Sequence, residues 1–370
     1  MKLVPFEMER MQSTWENVVE YNLSESGVHP ISLRQFLNER ELREVQEIGL
    51  GYSQSNGTPE LRELVSRLYP GAGPDNVLVT NGSSEANFVL MWSLLEPDDE
   101  IVFMMPNYMQ MGGLVRNFGA RLKPLWLQEN LAWAPDLAEL EDLVTPKTKL
   151  VIVTNPNNPT GSVLSEEAMS AIVAAAARTG AWIIADEIYQ GAERVGGMTP
   201  SFWGKYERAL VVNGLSKAYG LPGLRIGWMV GPKEFIAKTW PYHDYTSISV
   251  GILSDRVARI ALAPANRDKI LERTRGILRK NYPVLEAWLN THSRLFTCIP
   301  PKAGAIAYMR YALKVNSTEL VTRLIHEKSA LVVPGDHFEM DHYLRIGFGS
   351  EPDYLEKGLD RLGELLAQLR

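Results

Sequence analysis

The chain has 370 residues, of which 45% are hydrophobic and 22% charged, and its formal net charge is −6 at pH 7. That balance supports a sizeable soluble core in two domains, or in one large domain with a smaller companion. The acidic surplus argues against a sequence-independent nucleic-acid surface, and apolar runs of strand length leave no transmembrane helix.

In chain order, residues 1–22 are broken by charges and lack the apolar stretch of a secretory signal. Strand-like residues 76–80 precede a helical stretch at 84–95, and 100–104 precede another at 108–117. Residues 150–154 precede a helix at 165–179, whose Ser165-Glu166-Glu167 opening has the composition of a helix start. Strands at 182–185, 209–212 and 226–230 follow. Strands separated by helices predict an α/β domain with a mostly parallel sheet covered on both faces, a three-layer α/β/α arrangement. Ligands of such sheets sit beyond the carboxyl ends of the strands. After about residue 255 the pattern changes to a long polar helix at 267–290, with Pro283 as an expected kink. Apolar segments at 297–300 and 306–310 and helices at 318–328 and 352–369 complete a smaller α+β domain. The expected division is 40–255 for the large domain, and 1–39 with 256–370 for the small one. The only cysteine, Cys298, excludes an internal disulfide, suits a reducing cytoplasm and reads as a small strand residue. No metal site is expected.

Chemical residues cluster beyond two of the predicted strands. Asp186 and then Tyr189 follow 182–185, and Ser216-Lys217 follows 209–213, with Arg225 eight positions after Lys217. A lysine for a Schiff base, an aspartate for a pyridine nitrogen and an arginine for a phosphate are what an enzyme needs to hold pyridoxal phosphate. Gly82-Ser83-Ser84 opens a helix after a strand, so its backbone N–H groups and hydroxyls can cradle the phosphate. The turn around Tyr219, Gly220, Pro222 and Gly223 sets Lys217 apart from a solvated surface lysine.

Six motifs in order carry a family resemblance: YSQSNGTPELR (52–62), NGSSEAN (81–87), NPNNPTG (155–161), DEIY (186–189), 216–228 around Lys217, and YLRIGFG (343–349). The chain resembles the class I/II aminotransferases, fold-type I pyridoxal-phosphate enzymes of the aspartate aminotransferase kind, over nearly its whole length. The resemblance implies pyridoxal 5′-phosphate as cofactor and exchange of an amino group between an L-amino acid and a 2-oxo acid. It implies Lys217 as the Schiff-base lysine, which also moves a proton from the substrate Cα, a task eased by a pKa that falls on burial. Asp186 would pair with the ring nitrogen; Tyr189 and Asn158 would donate to the ring 3′-oxygen; Tyr108 would stack on the ring. Gly82, Ser83, Ser84, Ser216 and Arg225 would form the phosphate cup. Relatives often have a serine where this chain has Gly214, which removes one phosphate contact. Arg345 would take the substrate α-carboxylate as a bidentate fork, with Asn158 beside it.

The same resemblance has Tyr52 reaching the phosphate of a neighbouring subunit, and residues 245–249 crossing into the partner's site, which implies a homodimer with shared sites. Residues 24–28 stand where relatives carry a loop that closes over substrate, so Glu25 and Gly27 are candidate substrate contacts. Glu25 suits a cationic side chain such as a guanidinium, or is a solvated loop charge. This loop is similar to that of capreomycidine-synthase-like enzymes, so the alternative activity is a lyase or cyclase of the same fold acting on an arginine-type substrate. Trp15, Trp240 and Tyr242 are further candidates for the pocket lining. A cofactor-sensing regulator of this fold would carry a DNA-binding domain, for which the position of the first motif leaves no room.

Overall fold

The computed structural model describes residues 3–369. Its strands, in chain order, begin with β1 (Tyr21–Asn22), β2 (Val77–Thr80), β3 (Glu100–Met105), β4 (Arg121–Gln128) and β5 (Ala134–Pro135). Next come β6 (Thr148–Thr154), β7 (Trp182–Asp186), β8 (Ala209–Gly214) and β9 (Gly227–Val230). The last part of the chain holds β10 (Phe296–Cys298), β11 (Ile306–Tyr311), β12 (Ala330–Leu331), β13 (Val333–Pro334) and β14 (Tyr343–Gly347).

Eight strands form one sheet in the order β2-β9-β8-β7-β6-β3-β4-β5. From β8 to β4 all neighbours are parallel. Of these, β3, β6, β7 and β8 are buried nearly throughout, as a sheet covered on both faces requires, while β4 toward the edge is only partly covered. The parallel reading holds for this centre and fails at β9, which runs antiparallel to both β8 and β2. No crossover helix intervenes between Gly214 and Gly227, and a parallel neighbour needs one. Strands β4 and β5 were absent from the predicted set. Pro124 lies in β4 beside β3, where the short β5 covers only Leu127 and Gln128, so its missing N–H faces an open edge.

A second, antiparallel sheet runs β10-β11-β14-β13. The N-terminal segment folds back onto this half of the chain: β1 pairs in parallel with β12, Tyr21 opposite Ala330 and Asn22 opposite Leu331. The long helix Pro264–Thr291 continues past Pro283 as one element. Cys298 ends β10, and burial pushes its thiol up to about 12, which makes it unreactive. Among the described residues no helix is long and apolar enough to cross a membrane.

Candidate active site

The carboxyl ends of the parallel strands open into a cavity of about 310 Å3. Asp186 is the last residue of β7, Lys217 follows β8, Asn158 follows β6, and Tyr108 follows β3. Ser83 and Ser84 begin the helix Ser83–Leu94 after β2. All of these, with Tyr189, Ser216, Arg225, Arg345 and Glu25, line the one cavity. Motifs far apart in sequence thus converge because a parallel sheet brings its strand ends to one side.

At the floor Asp186 is 5% exposed and accepts from the Ile188 N–H at 3.1 Å. It has no cationic partner among the described residues. Burial, relieved in part by the Ile188 and Asn87 donors, pushes its carboxyl up to about 6. A protonated pyridine nitrogen placed there would supply the missing counter-charge. The phosphate end shows a matching cradle. Gly82 caps the helix with φ +84°, and a Cβ on it would run into the Arg225 guanidinium. Helix N–H groups, two serine hydroxyls and an arginine therefore meet at one spot, a donor set suited to a dianion. Gly214, where relatives often have serine, abuts Ile226 O and Gly227 Cα on β9, so a side chain there has no room. The residues fit pyridoxal phosphate at both ends.

Arg345, on β14, is 1% exposed. Its Nη1 donates to Asn158 Oδ1 at 2.9 Å and its Nη2 to Ser24 O at 2.6 Å, while Nε has no partner among the described residues. Burial lowers the Arg345 pKa, offset in part by Tyr189, Glu25 and Glu9, and at neutral pH it is cationic. Asn158 is fixed through its oxygen by Arg345, which leaves its amide N–H groups for the cavity.

Lys217 Nζ stands 3.6 Å from Glu25 Oε2. Burial alone would lower the lysine pKa; Glu25, Tyr189 and Glu9 outweigh it and hold the ammonium above its ordinary value. The sequence expectation of a depressed lysine is therefore reversed in the free site, because burial brings Glu25 with it. Glu25 in turn is held below the carboxylate range, chiefly by Lys217. Its segment runs tightly over β14: a Cβ on Gly347 would collide with Glu25 O, which explains a glycine in that motif. Gly27 lies against Ser216 and Lys217 but does not line the cavity; its neighbour Ser26 does.

The remaining candidates lie elsewhere. Tyr52 is 91% exposed and outside its own chain's cavity. Trp15 packs edge-on against His326, Trp240 donates to Ser55 Oγ, and Tyr242 packs on Trp92, so none of the three aromatics lines the pocket. Unanticipated lining residues are Glu9, Gln12 and Glu16 from the N-terminal helix, and Asn87 and Thr154 beside Asp186. The first three carried a readable signal: spacing 9, 12, 16 puts them on one helical face.

Behind Asp186, buried Glu187 accepts from the Phe202 N–H at 2.8 Å and the Ser201 hydroxyl at 3.0 Å. Its other oxygen has no partner among the described residues. Burial pushes this carboxyl up to about 8. Both buried acids are raised, so their contribution to stability is full below the ordinary carboxylate range. It is lost as pH climbs through about 6 for Asp186 and about 8 for Glu187. The cofactor-free protein should therefore melt at falling temperatures over this span, and Glu187→Gln should flatten the upper part. Melting temperature recorded against pH checks this; an unchanged slope in the variant contradicts it.

Comparison with known proteins agrees with the geometry. A family model described as "Aminotransferase class I and II" matches residues 21–362. Capreomycidine synthase of Streptomyces vinaceus is 31% identical over 350 residues, covering 93% of this chain and 89% of that protein. The crystal structure of a PLP-dependent aminotransferase from Streptococcus suis superposes with TM-score 0.93 at 33% identity, covering 100% of this chain and 99% of that one. A PLP-dependent cyclase superposes with TM-score 0.89 at 29% identity, covering 100% and 98%.

Proposed function

The chain belongs to the class I and II aminotransferases, pyridoxal-phosphate-dependent enzymes of fold type I, and from that footing we propose what it does with the cofactor. At Arg345 it binds, by the α-carboxylate, an L-amino acid that carries a leaving group on Cβ, and it removes the Cα proton with Lys217. It then expels that group with its bonding pair, ending in elimination or, where a side-chain nitrogen adds at Cβ and the proton returns to Cα, in ring closure. When bound, pyridoxal phosphate supplies the electron sink for the pair left at Cα. Asp186 would hold the proton on the ring nitrogen, and Asn158 and Tyr189 would meet the 3′-oxygen. Tyr108 would pack against the ring, and Ser83, Ser84, Ser216 and Arg225 would hold the phosphate. Arg345 fixes the carboxylate, so the Cα–H bond points at Lys217 Nζ, which takes the proton.

One observation carries the choice of outcome. The cations lining the cavity are Lys217, Arg225 and Arg345, and each already has a task. Glu25 stands beside Lys217 at 3.6 Å. A dicarboxylic 2-oxo acid, which a transaminase cycle of the aspartate type needs as acceptor, finds no further cation among the described residues lining this cavity and meets a carboxylate instead. The likeness to capreomycidine synthase and to a PLP-dependent cyclase supports the same side. The second reading is amino transfer from an L-amino acid to a 2-oxo acid, favoured by the likeness to the Streptococcus suis aminotransferase. Incubating the loaded protein with single amino acids and no 2-oxo acid separates the two. Continued consumption, over many equivalents, is the expected result. Release of one equivalent of the matching 2-oxo acid followed by arrest establishes amino transfer instead.

The active unit in this proposal is a homodimer. Leu50, Tyr52, Tyr245 and Ile248 are exposed, and Ser53 Oγ donates to Val250 O at 2.6 Å, joining the two segments into one surface. That supports Tyr52 reaching a second copy's phosphate. The two-domain division at residues 40 and 255 and a reducing, cytoplasmic setting belong to the same proposal.

A further inference from the structure

We propose that Glu9 and Glu16 of the N-terminal helix, together with Glu25, form a subsite that selects an amino acid with a cationic side chain, a guanidinium best of all. The inference rests on Arg345 holding the α-carboxylate, and it concerns the opposite end of the substrate.

The helix Glu7–Trp15, with Glu16 as its C-cap, turns Glu9, Gln12 and Glu16 toward the cavity. Met8, one turn before Gln12, is buried in the core and anchors the helix. Glu9 Oε1 accepts from the Tyr108 hydroxyl at 2.7 Å, which ties the helix to the residue expected over the cofactor ring. Gln12 Nε2 donates to Ser24 O at 3.2 Å and to Ser24 Oγ at 3.0 Å. Ser24 O is also the acceptor for Arg345 Nη2. One network thus sets the distance between the carboxylate fork and the acidic wall, and so the length of substrate that fits.

Charge makes the same argument. With Asp186, Arg225 and Lys217 committed to the cofactor, and Arg345 to the substrate carboxylate, three glutamates are left facing the cavity. The Glu16 carboxyl is raised by burial and by its neighbours Glu25 and Glu9, the mark of like charges crowded together. A cation between them relieves that repulsion, and a guanidinium offers five N–H donors to share among them. The unpartnered Nε of buried Arg345 independently marks this cavity as built for a ligand. A cation that engages Glu25 also releases Lys217 from the charge that keeps it protonated, which couples side-chain recognition to proton removal.

The test is the dissociation constant of the first spectral change when the loaded protein is mixed rapidly with L-arginine, L-lysine or L-norleucine. The parent protein is expected to bind arginine at least about tenfold more tightly than norleucine. Glu16→Gln should shrink that ratio several-fold while leaving the norleucine constant and the melting temperature in place. Glu9→Gln, at a residue that also meets Tyr108, should shrink the ratio beyond any change in the norleucine constant. Equal binding of arginine and norleucine by the parent, or an unchanged ratio in both variants, overturns the cationic subsite while leaving the Arg345 assignment standing. No spectral response to any of the three amino acids overturns both. Lysine bound more tightly than arginine keeps the cationic subsite and overturns its guanidinium preference.

Discussion

Lys217→Ala should slow turnover at least about a thousandfold, since the proposed function gives this side chain both general base catalysis and covalent anchoring of the cofactor. The fold should survive. Lys217 makes one ion pair, at 3.6 Å to the half-exposed Glu25, and such a pair is worth at most about 1 kcal/mol. The phosphate cup and Asp186 stay in place, so the variant should still take up pyridoxal phosphate, held by contacts alone and lost on dialysis. Steady-state turnover, a thermal melt and the cofactor absorption before and after dialysis check the three parts. Activity at a few per cent of the parent would mean another group removes the Cα proton.

Arg345→Ala should cost at least about a hundredfold in kcat/KM, with KM raised and kcat lowered together, because a substrate that tilts also loses the Cα–H alignment. This change carries a stability cost that Lys217→Ala avoids. Arg345 is buried, and its loss strands Asn158 Oδ1, at about 1–3 kcal/mol if left unsatisfied, while Ser24 O keeps the Gln12 Nε2 donor. Arg345→Lys separates the two effects: it keeps a charge but not the fork, so it should recover stability further than it recovers kcat. A loss confined to melting temperature, with kcat/KM of the folded fraction unchanged, would make Arg345 structural.

The cofactor end of this site was legible in the sequence because each residue there sits at a strand end, and strand ends of a parallel sheet converge whatever the intervening chain does. The period of apolar residues placed the strand ends, and the resemblance to a known family picked out Asp186, Lys217, Asn158 and Tyr108 beside them. The substrate end depends on how the N-terminal segment docks. Glu9 and Glu16 lie on an amphipathic helix whose pattern is plain, yet which wall it forms is decided by Gln12 meeting Ser24 and by Tyr108 meeting Glu9. Those contacts span 12 and 99 positions, and periodicity carries no information about them. For the same reason Trp15 looked like lining and proved to be packing. The direction of β9 and the reversed lysine pKa were hidden likewise, one in a loop too short for a crossover, the other in a carboxylate delivered from residue 25.

The central claim is that pyridoxal phosphate joins covalently to Lys217. Borohydride reduction of the loaded protein, followed by peptide mapping, reads this without any assumption about substrate. A visible cofactor band that reduction abolishes and a single modified peptide carrying the label on Lys217 are the expected result. No visible band, or a label carried by another lysine while Lys217 stays unmodified, would contradict it.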